Sequence, residues 1–330
     1  MTLPVYLREI YRYSDNIEIF HIHTSFPAIN SLIAFQVKTG FKTKTPRIIA
    51  TQYSTATSPY LFGKTDLKYL FTPILTNPIS LAYSFIDLII LLNRKACQNL
   101  KKYFARRVIW FPHVAIDTEK FKPDKKCRDH FRDYLSLDDE TILLLYAGDL
   151  TPSRGLEFFI STIKYTLKKS KKYKVRGLIP LKDRDMKIDR YKYIVDLIRS
   201  SRVENYVEIL GYREDIDHLI NSSDIVIMPL RKDYGFMDIP RFLLEAMSCG
   251  KPVITSTVGA IDEVLYNWVN GILCEPENLE CIITSLDLLI EDPILRHKIG
   301  ANARRTVLEI FDADKICRTL LRIYYSLMER

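Results

Sequence analysis

The sequence has no run of apolar residues that would make a clean membrane span. Its most apolar region, residues 70–92, is interrupted by Pro73, Asn77, Pro78 and Asp87, which a helix exposed to lipid tolerates poorly. We interpret this region as a loop followed by a helix and a buried strand. The amino terminus shows no secretory signal peptide. We therefore expect a cytoplasmic protein that could also bind peripherally to the inner face of a membrane.

Cysteine is scarce, and none of it has the spacing of a metal site. There is no CxxC pair and no cysteine flanked by histidine at ligand spacing, so we expect no zinc and predict free thiols in a reducing cytosol; the six are Cys97, Cys127, Cys249, Cys274, Cys281 and Cys317. Aspartates separated by one residue fall in charged connectors or helices and not directly at a strand end, which also disfavours a divalent-ion site; they are Asp183 with Asp185, Asp215 with Asp217, and Asp312 with Asp314.

Internal repeats and low-complexity segments are also absent. With 330 residues, 47% of them apolar and 27% charged, the chain is long enough for two globular domains. Charge is uneven. Residues 1–112 contain 14 Lys or Arg and 5 Asp or Glu, a net +9, so the remainder has 34 against 35, or −1, which sums to the overall +8. A basic surface attracts the phosphates of nucleic acid, of an anionic membrane or of a phosphate-linked acceptor, although a merely soluble basic surface explains the charge equally well.

Residues 224–271 contain the clearest βαβ pattern. The β-branched run 225–230 predicts a buried strand, residues 231–238 a polar loop, and Pro240 the first residue of a helix that continues to Ser248. Gly250 and Pro252 end that helix, and a second strand covers 252–256. Open α/β sheets bind ligands at the carboxyl ends of such strands.

Two further strands end in loops that could bind a ligand. The run 141–147 leads into a glycine-containing turn from Gly148 to Gly155 and then into a helix, which is typical of a phosphate-binding turn with Arg154 as a cation at its mouth. The strand 206–210 opens into Gly211 and Tyr212 before a helix over 216–222. We expect the loops after residues 147, 210 and 230 to converge on one crevice.

The remaining chain follows the same alternation. The patterns predict helices over 1–15, 28–39 and 125–139, strands over 17–23 and 47–51, and closing helices over 277–330 with a break at Asp292 and Pro293. Glu245 stands out because it lies between apolar neighbours on a short helix. One interpretation is a carboxylate that accepts hydrogen bonds from sugar hydroxyls; the other, equally favoured by spacing, is a glutamate that reaches solvent or a nearby cation.

The segment PRFLLEAMSCGKPVITSTVGAIDEV resembles the donor-site segment of family-four retaining glycosyltransferases of the GT-B fold. The resemblance implies two Rossmann-like domains that face a central cleft. Glu245 matches the second Glu of the family's Glu, any seven, Glu motif, whereas the first falls on Met237. Asp238, in the DIP turn with Ile239, is the carboxylate that could replace it at the donor site.

Other segments carry the same resemblance. Gly148 and Arg154 match the family's GRL and Lys-Gly turn, whose cations bind the donor diphosphate, but Asp149 replaces the Arg. Gly211 and Tyr212 match a loop whose backbone meets the nucleotide base. In the first domain, the family's strand and loop match the segment ending in His23, and a family His beside the donor sugar is replaced by Gln52 or Tyr53. For His21 we favour a core histidine.

The hinge-like segment 108–123 places the domain boundary near Pro112. The resemblance implies an acceptor-side domain over 1–112 that lacks the family's first βαβ unit, and a donor domain over 113–330. The last helix of the donor domain is expected to pack back on the first domain.

We expect a glycosyltransferase that moves a hexosyl unit from a UDP- or GDP-linked sugar to a glycan or lipid phosphate-linked acceptor, with retention. The resemblance identifies no catalytic residue, and it implies neither a metal nor a cofactor, because the nucleotide sugar is a substrate. Met237, Asp149, the replaced His and the missing first βαβ unit motivate an alternative, a catalytically weakened nucleotide-sugar-binding or scaffold subunit. A DNA-modifying glucosyltransferase rests on the basic first domain alone, and we expect no nucleic acid partner.

Overall fold

The computed structural model describes residues 17–24, 33–34, 37–38, 45–53, 85–104, 107–169, 173–181, 189–231 and 238–329. The predicted helix 1–15, most of the predicted helix 28–39 and the segment 70–83 fall outside these ranges. So do Asp183, Asp185 and Met237.

The chain forms two compact units. Unit 1 comprises Met1–His113, Phe236–Ile239 and Cys317–Arg330, and unit 2 comprises Val114–Gly235 and Pro240–Ile316. The sequence predicted a single division near Pro112 and assigned all later residues to the second domain. The contacts group Phe236–Ile239 and Cys317–Arg330 with unit 1.

Unit 1 contains a parallel sheet in the order β1-β2-β3-β4. Its strands are β1 (Ile19–Thr24), β2 (Arg47–Gln52), β3 (Leu88–Leu91) and β4 (Val108–Trp110), and helix α1 (Arg94–Phe104) connects β3 to β4. One face of the sheet buries Ile49, Leu88 and Ile90 against the last helix, α9 (Ala313–Met328), through Leu327 and its neighbours.

Unit 2 contains a parallel sheet of six strands in the order β10-β9-β8-β5-β6-β7. The strands are β5 (Thr141–Tyr146), β6 (Lys174–Pro180), β7 (Val207–Leu210), β8 (Ile225–Met228), β9 (Val253–Ser256) and β10 (Ile272–Cys274). The helices are α2 (Lys125–Tyr134), α3 (Leu156–Lys169), α4 (Asp189–Ser201), α5 (Ile216–Ser222), α6 (Arg241–Ser248), α7 (Leu279–Glu291) and α8 (Pro293–Ile310). Every residue of β5 and β8 is buried, as expected of strands covered on both faces.

The strand order reverses between β5 and β8. From β5 the sheet grows through β6 to β7 on one side, and from β8 it grows through β9 to β10 on the other. Such a switch point opens a crevice at the carboxyl ends of the two central strands, where doubly wound proteins bind ligands.

Most of the predicted elements of unit 2 are confirmed within one or two residues, including the βαβ unit from β8 to β9, whose strands pair in parallel. Two boundaries differ. Pro240 is the N-cap of α6 and not its first residue, and α2 ends at Tyr134 because Leu135 caps it. None of the helices in the described ranges is both long enough and apolar enough to cross a membrane.

Candidate functional site

The loops that follow β5 and β8 are in direct contact at the switch point. The backbone N–H of Arg231 donates to the carbonyl oxygen of Ser153 over 2.8 Å. Gly155 has a φ of +67°, and a Cβ at this position would lie 1.9 Å from the carbonyl oxygen of Pro229. Only glycine fits such an approach, so the sequence fixes how closely these two loops pack.

The turn after β5 is built around Tyr146. This side chain is fully buried, and its hydroxyl donates to the carbonyl oxygen of Asp149 over 2.9 Å. Burial raises the pKa of Tyr146 well above 10, so the phenol remains a donor. A Cβ on Gly148 would lie 2.6 Å from this hydroxyl. The turn is therefore a fixed structure that leads through the short helix Pro152–Arg154 into α3.

Arg154 lies in this turn, as predicted, but it is less available than the sequence suggested. Its Nε is 3.6 Å from Oδ1 of Asp149, and only 17% of its side chain is exposed. Asp149 also accepts hydrogen bonds from the backbone N–H and the hydroxyl of Thr151. Asp149 therefore has two effects. It replaces the Arg that the resemblance leads us to expect, and it partly neutralises Arg154, the cation that remains.

The loop after β7 lies further away. β6 separates β7 from β5, so the start of this loop is about 10 Å from the turn after β5 at the usual strand spacing of about 4.8 Å. A Cβ on Gly211 would meet nothing within 4 Å, and Tyr212 is exposed. The contacts described above thus join two of the three predicted loops, and the third borders an open surface.

Glu245 lies on α6 with 9% of the residue exposed. Its Oε1 accepts a hydrogen bond from Nε of Arg241 over 2.8 Å, one helical turn earlier, and the Arg241 side chain is 60% exposed. A pair of this kind contributes about 0.3–0.5 kcal/mol. Arg241 is the nearby cation that the second interpretation of Glu245 required. Because the pair is weak, Glu245 can still bind a ligand.

The predicted acceptor-side residues belong to unit 1, together with Asp238 and Ile239. The backbone N–H of Asp238 donates to the carbonyl oxygen of Tyr53 over 2.8 Å. Gln52 is the last residue of β2 and is buried. Tyr53 and His23 pair at the carboxyl ends of adjacent strands, with 2.9 Å between the hydroxyl and Nδ1.

A cluster of three histidines lies at the same edge of the sheet of unit 1. His21 hydrogen-bonds with Tyr324 (2.7 Å) and with Thr51 (2.8 Å), and Thr51 lies 3.2 Å from Nε2 of His113. The rings of His21 and His23 are 3.9 Å apart. Burial, followed by the charges of His23 and His113, lowers the pKa of His21 from 6.5 to about 3. Burial also lowers the pKa of His23 and of His113. His21 is therefore a partly buried, neutral histidine.

We expect this cluster to make the fold sensitive to acid. Between pH 6.5 and 3 the unfolded chain protonates His21 while the folded chain does not, so stability falls as the pH falls through this window. His21 alone should lower the free energy of unfolding by about 2 kcal/mol between pH 7.5 and pH 5. Urea unfolding at both pH values measures this. The variant His21→Gln should lose that part of the pH dependence, whereas His130→Gln on the surface of α2 should keep it; equal slopes in parent and His21→Gln would contradict the assignment.

The prediction that all six cysteines are free is wrong. Cys274 and Cys281 form a disulfide with a Cα–Cα distance of 5.8 Å. The end of β10 and the first turn of α7 approach each other across a four-residue turn, and a spacing of seven residues gives no signal of this. The other four cysteines are free thiols.

The pair of Arg231 and Glu277 was also missed. Nε of Arg231 donates to Oε1 of Glu277 over 2.8 Å. In the sequence, Arg231 was one polar residue of a predicted loop, and Glu277 was the first residue of the predicted closing helices. Both residues nevertheless follow strands of the same parallel sheet. Within the described ranges, no group of three or more His, Cys, Asp or Glu side chains could hold a metal ion.

Comparison with known families gives a match over residues 128–306, more than half of the chain, to the family of glycosyl transferases group 1. An uncharacterized glycosyltransferase of Methanocaldococcus jannaschii, MJ1607, is 28% identical over 61% of this chain and 49% of its own length. The N,N'-diacetylbacillosaminyl-diphospho-undecaprenol alpha-1,3-N-acetylgalactosaminyltransferase of Campylobacter jejuni is 26% identical over 74% of this chain and 61% of its own length. The chain thus spans about half the length of the curated relatives it matches.

Among solved structures, Anabaena HepE in complex with UDP superposes with a TM-score of 0.77 over 97% of this chain and 82% of its own. The sequence identity is 19%, so this likeness shows the fold alone. That fold is GT-B, in keeping with the two parallel α/β sheets.

Proposed function

Because the chain belongs to the family of glycosyl transferases group 1, we propose that it transfers a hexosyl unit from a nucleotide diphosphate sugar to a glycan or lipid-linked acceptor, with retention. The observation that carries this proposal is the switch point between β5 and β8. There a rigid glycine turn with Arg154 leads into a helix amino terminus next to the loop after β8, all within the residues that match the family. Amino termini of helices and nearby cations stabilise a departing diphosphate.

The donor site would use residues of unit 2. Arg154 and the turn at Gly148 would bind the diphosphate, Glu245 would accept hydrogen bonds from the ribose hydroxyls, and the backbone at Gly211 and Tyr212 would meet the base. Asp238 and Ile239, which belong to unit 1, stay predicted donor-binding residues on the strength of the resemblance alone. No metal ion or cofactor is part of the proposal.

Incubation of the full chain with a panel of UDP- and GDP-sugars tests the proposal directly. Slow hydrolysis of one donor, or transfer to an added acceptor, supports a transferase. Binding of a donor without turnover, for every donor and acceptor tried, would instead support the weakened nucleotide-sugar-binding subunit. The Asp149–Arg154 pair specifically favours that second candidate, because it removes positive charge from the place where diphosphate charge develops.

The Asp149–Arg154 pair yields two opposite expectations for nucleotide binding. Arg154→Ala should weaken UDP or GDP binding by about 1.5–3 kcal/mol, because a charge-assisted contact is lost. Asp149→Asn should tighten it, because Arg154 no longer shares its charge. Calorimetric titration measures both, with uridine and guanosine as ligands that lack the diphosphate. Unchanged affinity in both variants would show that the pair lies outside the phosphate site.

For the acceptor we propose a lipid phosphate-linked sugar, as in the Campylobacter relative, whose name specifies an undecaprenol-linked substrate. His23, Gln52 and Tyr53 would lie on the acceptor side, because they end adjacent strands of unit 1. Of these, His23 is exposed and Tyr53 is partly exposed, so their side chains are the ones that can reach a bound hydroxyl.

An anionic membrane surface is the partner that fits such an acceptor. On α9, Leu321, Tyr325 and Met328 form an exposed apolar stripe at helical spacing, with exposed Arg318 and Arg322 beside it. Apolar stripes flanked by arginine are typical of helices that bind at a membrane interface. Residues 1–112 contain 14 basic and 5 acidic residues, and this net positive charge is what binding to an anionic surface requires.

Vesicle co-sedimentation should therefore retain the protein on anionic vesicles and lose it at high salt. Replacing both Arg318 and Arg322 by Gln should weaken binding by about 2 kcal/mol, at about 1 kcal/mol for each charge. The matched control replaces Lys192 and Arg199, which are exposed on α4 of unit 2. If the control loses as much binding as the α9 variant, α9 is not the contact, and if anionic vesicles never retain the parent, a soluble acceptor replaces the lipid-linked one.

A further inference from the structure

Arg231 lies over the start of α3. It follows β8 at the switch point, and its N–H bonds the carbonyl oxygen of Ser153, just before α3. Its Cγ is 3.3 Å from the position that a Cβ on Gly155 would occupy, and its guanidinium carbon is 5.7 Å from the centre of the Phe158 ring. The long side chain therefore runs from one loop of the crevice to the first turn of the helix that follows the other.

A cation is electrostatically unfavourable at this place. The amino terminus of a helix carries a partial positive charge, and Arg154 in the preceding turn adds the positive charge of its guanidinium. The acidic residue in the first turn of α3, Glu157, forms an ion pair with Arg190. The anion that compensates Arg231 comes instead from a third loop, because Glu277 after β10 accepts its hydrogen bond over 2.8 Å.

Glu277 is held in this position at a cost. Its φ of +66° lies in the left-handed region, which is unfavourable for a residue with a Cβ. The Cys274–Cys281 disulfide closes the loop around it, and Asn278 caps α7 by accepting from the N–H of Cys281. The side chains of Arg231 and Glu277 are 33% and 47% exposed, and an ion pair this exposed to solvent contributes little to stability. Stability alone does not explain why the strained loop is kept.

We propose that Arg231 is a second cation for the donor diphosphate, and that Glu277 holds its guanidinium over the start of α3 until the diphosphate takes its place. The proposal rests on the proposed function and adds to it a residue outside the glycine turn. Asp149 stands where the family has a cation, and it partly neutralises Arg154. In this proposal Arg231, which follows the neighbouring strand, supplies the positive charge that the site needs to bind an anion.

The two partners should have opposite effects on nucleotide binding. Arg231→Met keeps the length and apolar contact of the side chain, removes the charge, and should weaken UDP or GDP binding at least tenfold. Glu277→Gln removes the competing carboxylate and should tighten binding severalfold. In the double variant the Glu277→Gln change should have no further effect, because there is no guanidinium left to release. Titrations with uridine and guanosine should give the same affinity for all four proteins.

Lys174→Met is the matched control, since it breaks an exposed ion pair with Asp138 (2.6 Å) at the amino end of β6, the opposite edge of the sheet. It should leave nucleotide affinity unchanged. If the parent binds UDP or GDP and Arg231→Met binds it equally well, the inference is overturned and the proposed function stands. If both variants weaken binding, Glu277 is a structural partner and the inference is also overturned. If the parent binds neither nucleotide, the proposed function fails and the inference fails with it.

Discussion

Gly155→Ala is expected to destabilise unit 2 by about 2–5 kcal/mol. The backbone at this position has a φ of +67°, which costs a residue with a Cβ about 1–2 kcal/mol. The new methyl group would also lie 1.9 Å from the carbonyl oxygen of Pro229, and relieving such a contact in a packed region costs about 1–3 kcal/mol more. Thermal and urea unfolding measure the loss. Nucleotide affinity should fall as well, because the turn and the loop after β8 are forced apart.

Gly211→Ala is the matched control for this experiment. Gly211 also follows a strand of the same sheet, but a Cβ there meets nothing within 4 Å and its φ is not in the left-handed region. The substitution should change stability by less than about 1 kcal/mol. If Gly155→Ala melts like Gly211→Ala, then the two central loops do not pack as described, and the basis for a shared site at the switch point is lost.

The sequence was sufficient to predict many of the strands and helices of unit 2, because their patterns are local, but it did not predict β6, α4 or β10. A run such as 141–147, short and bounded by a glycine turn, is typical of a buried strand in a sheet covered on both faces, and the turn to Leu156 contains the glycines that its backbone requires. The parallel pairing of β8 with β9 also follows from a short βαβ unit.

Features that depend on which side chains meet in the folded chain were not predictable in this way. Cys274 and Cys281 pair because β10 and α7 are brought together by the turn between them. Arg231 and Glu277 are 46 residues apart in the sequence, and they meet because their strands belong to one sheet. The sequence showed that Asp149 reverses the expected charge, but only the structure shows that it pairs with Arg154. In each case side-chain packing determines the partner.

Glu245→Gln is expected to reduce donor affinity by roughly one to two orders of magnitude, at about 1.4 kcal/mol for each factor of ten. In this proposal the carboxylate accepts hydrogen bonds from the ribose hydroxyls, and the amide that replaces it has the same shape without the charge. Charge-assisted hydrogen bonds are about twice as strong as neutral ones. Calorimetric titration with UDP, GDP and the sugar-linked donors measures the change.

The structure gives the competing explanation a definite form. If Glu245 serves only to pair with Arg241, then Glu245→Gln should lower the melting temperature slightly and bind the donor as the parent does. The pair is weak, because 60% of the Arg241 side chain is exposed and the two residues are one turn apart on a helix. Arg241→Gln is therefore the matched variant, since it breaks the same pair and leaves the carboxylate in place. Loss of affinity in Glu245→Gln but not in Arg241→Gln assigns the carboxylate to the donor. If instead the two variants have the same melting temperature and the same donor affinity as each other, Glu245 is removed from the donor site.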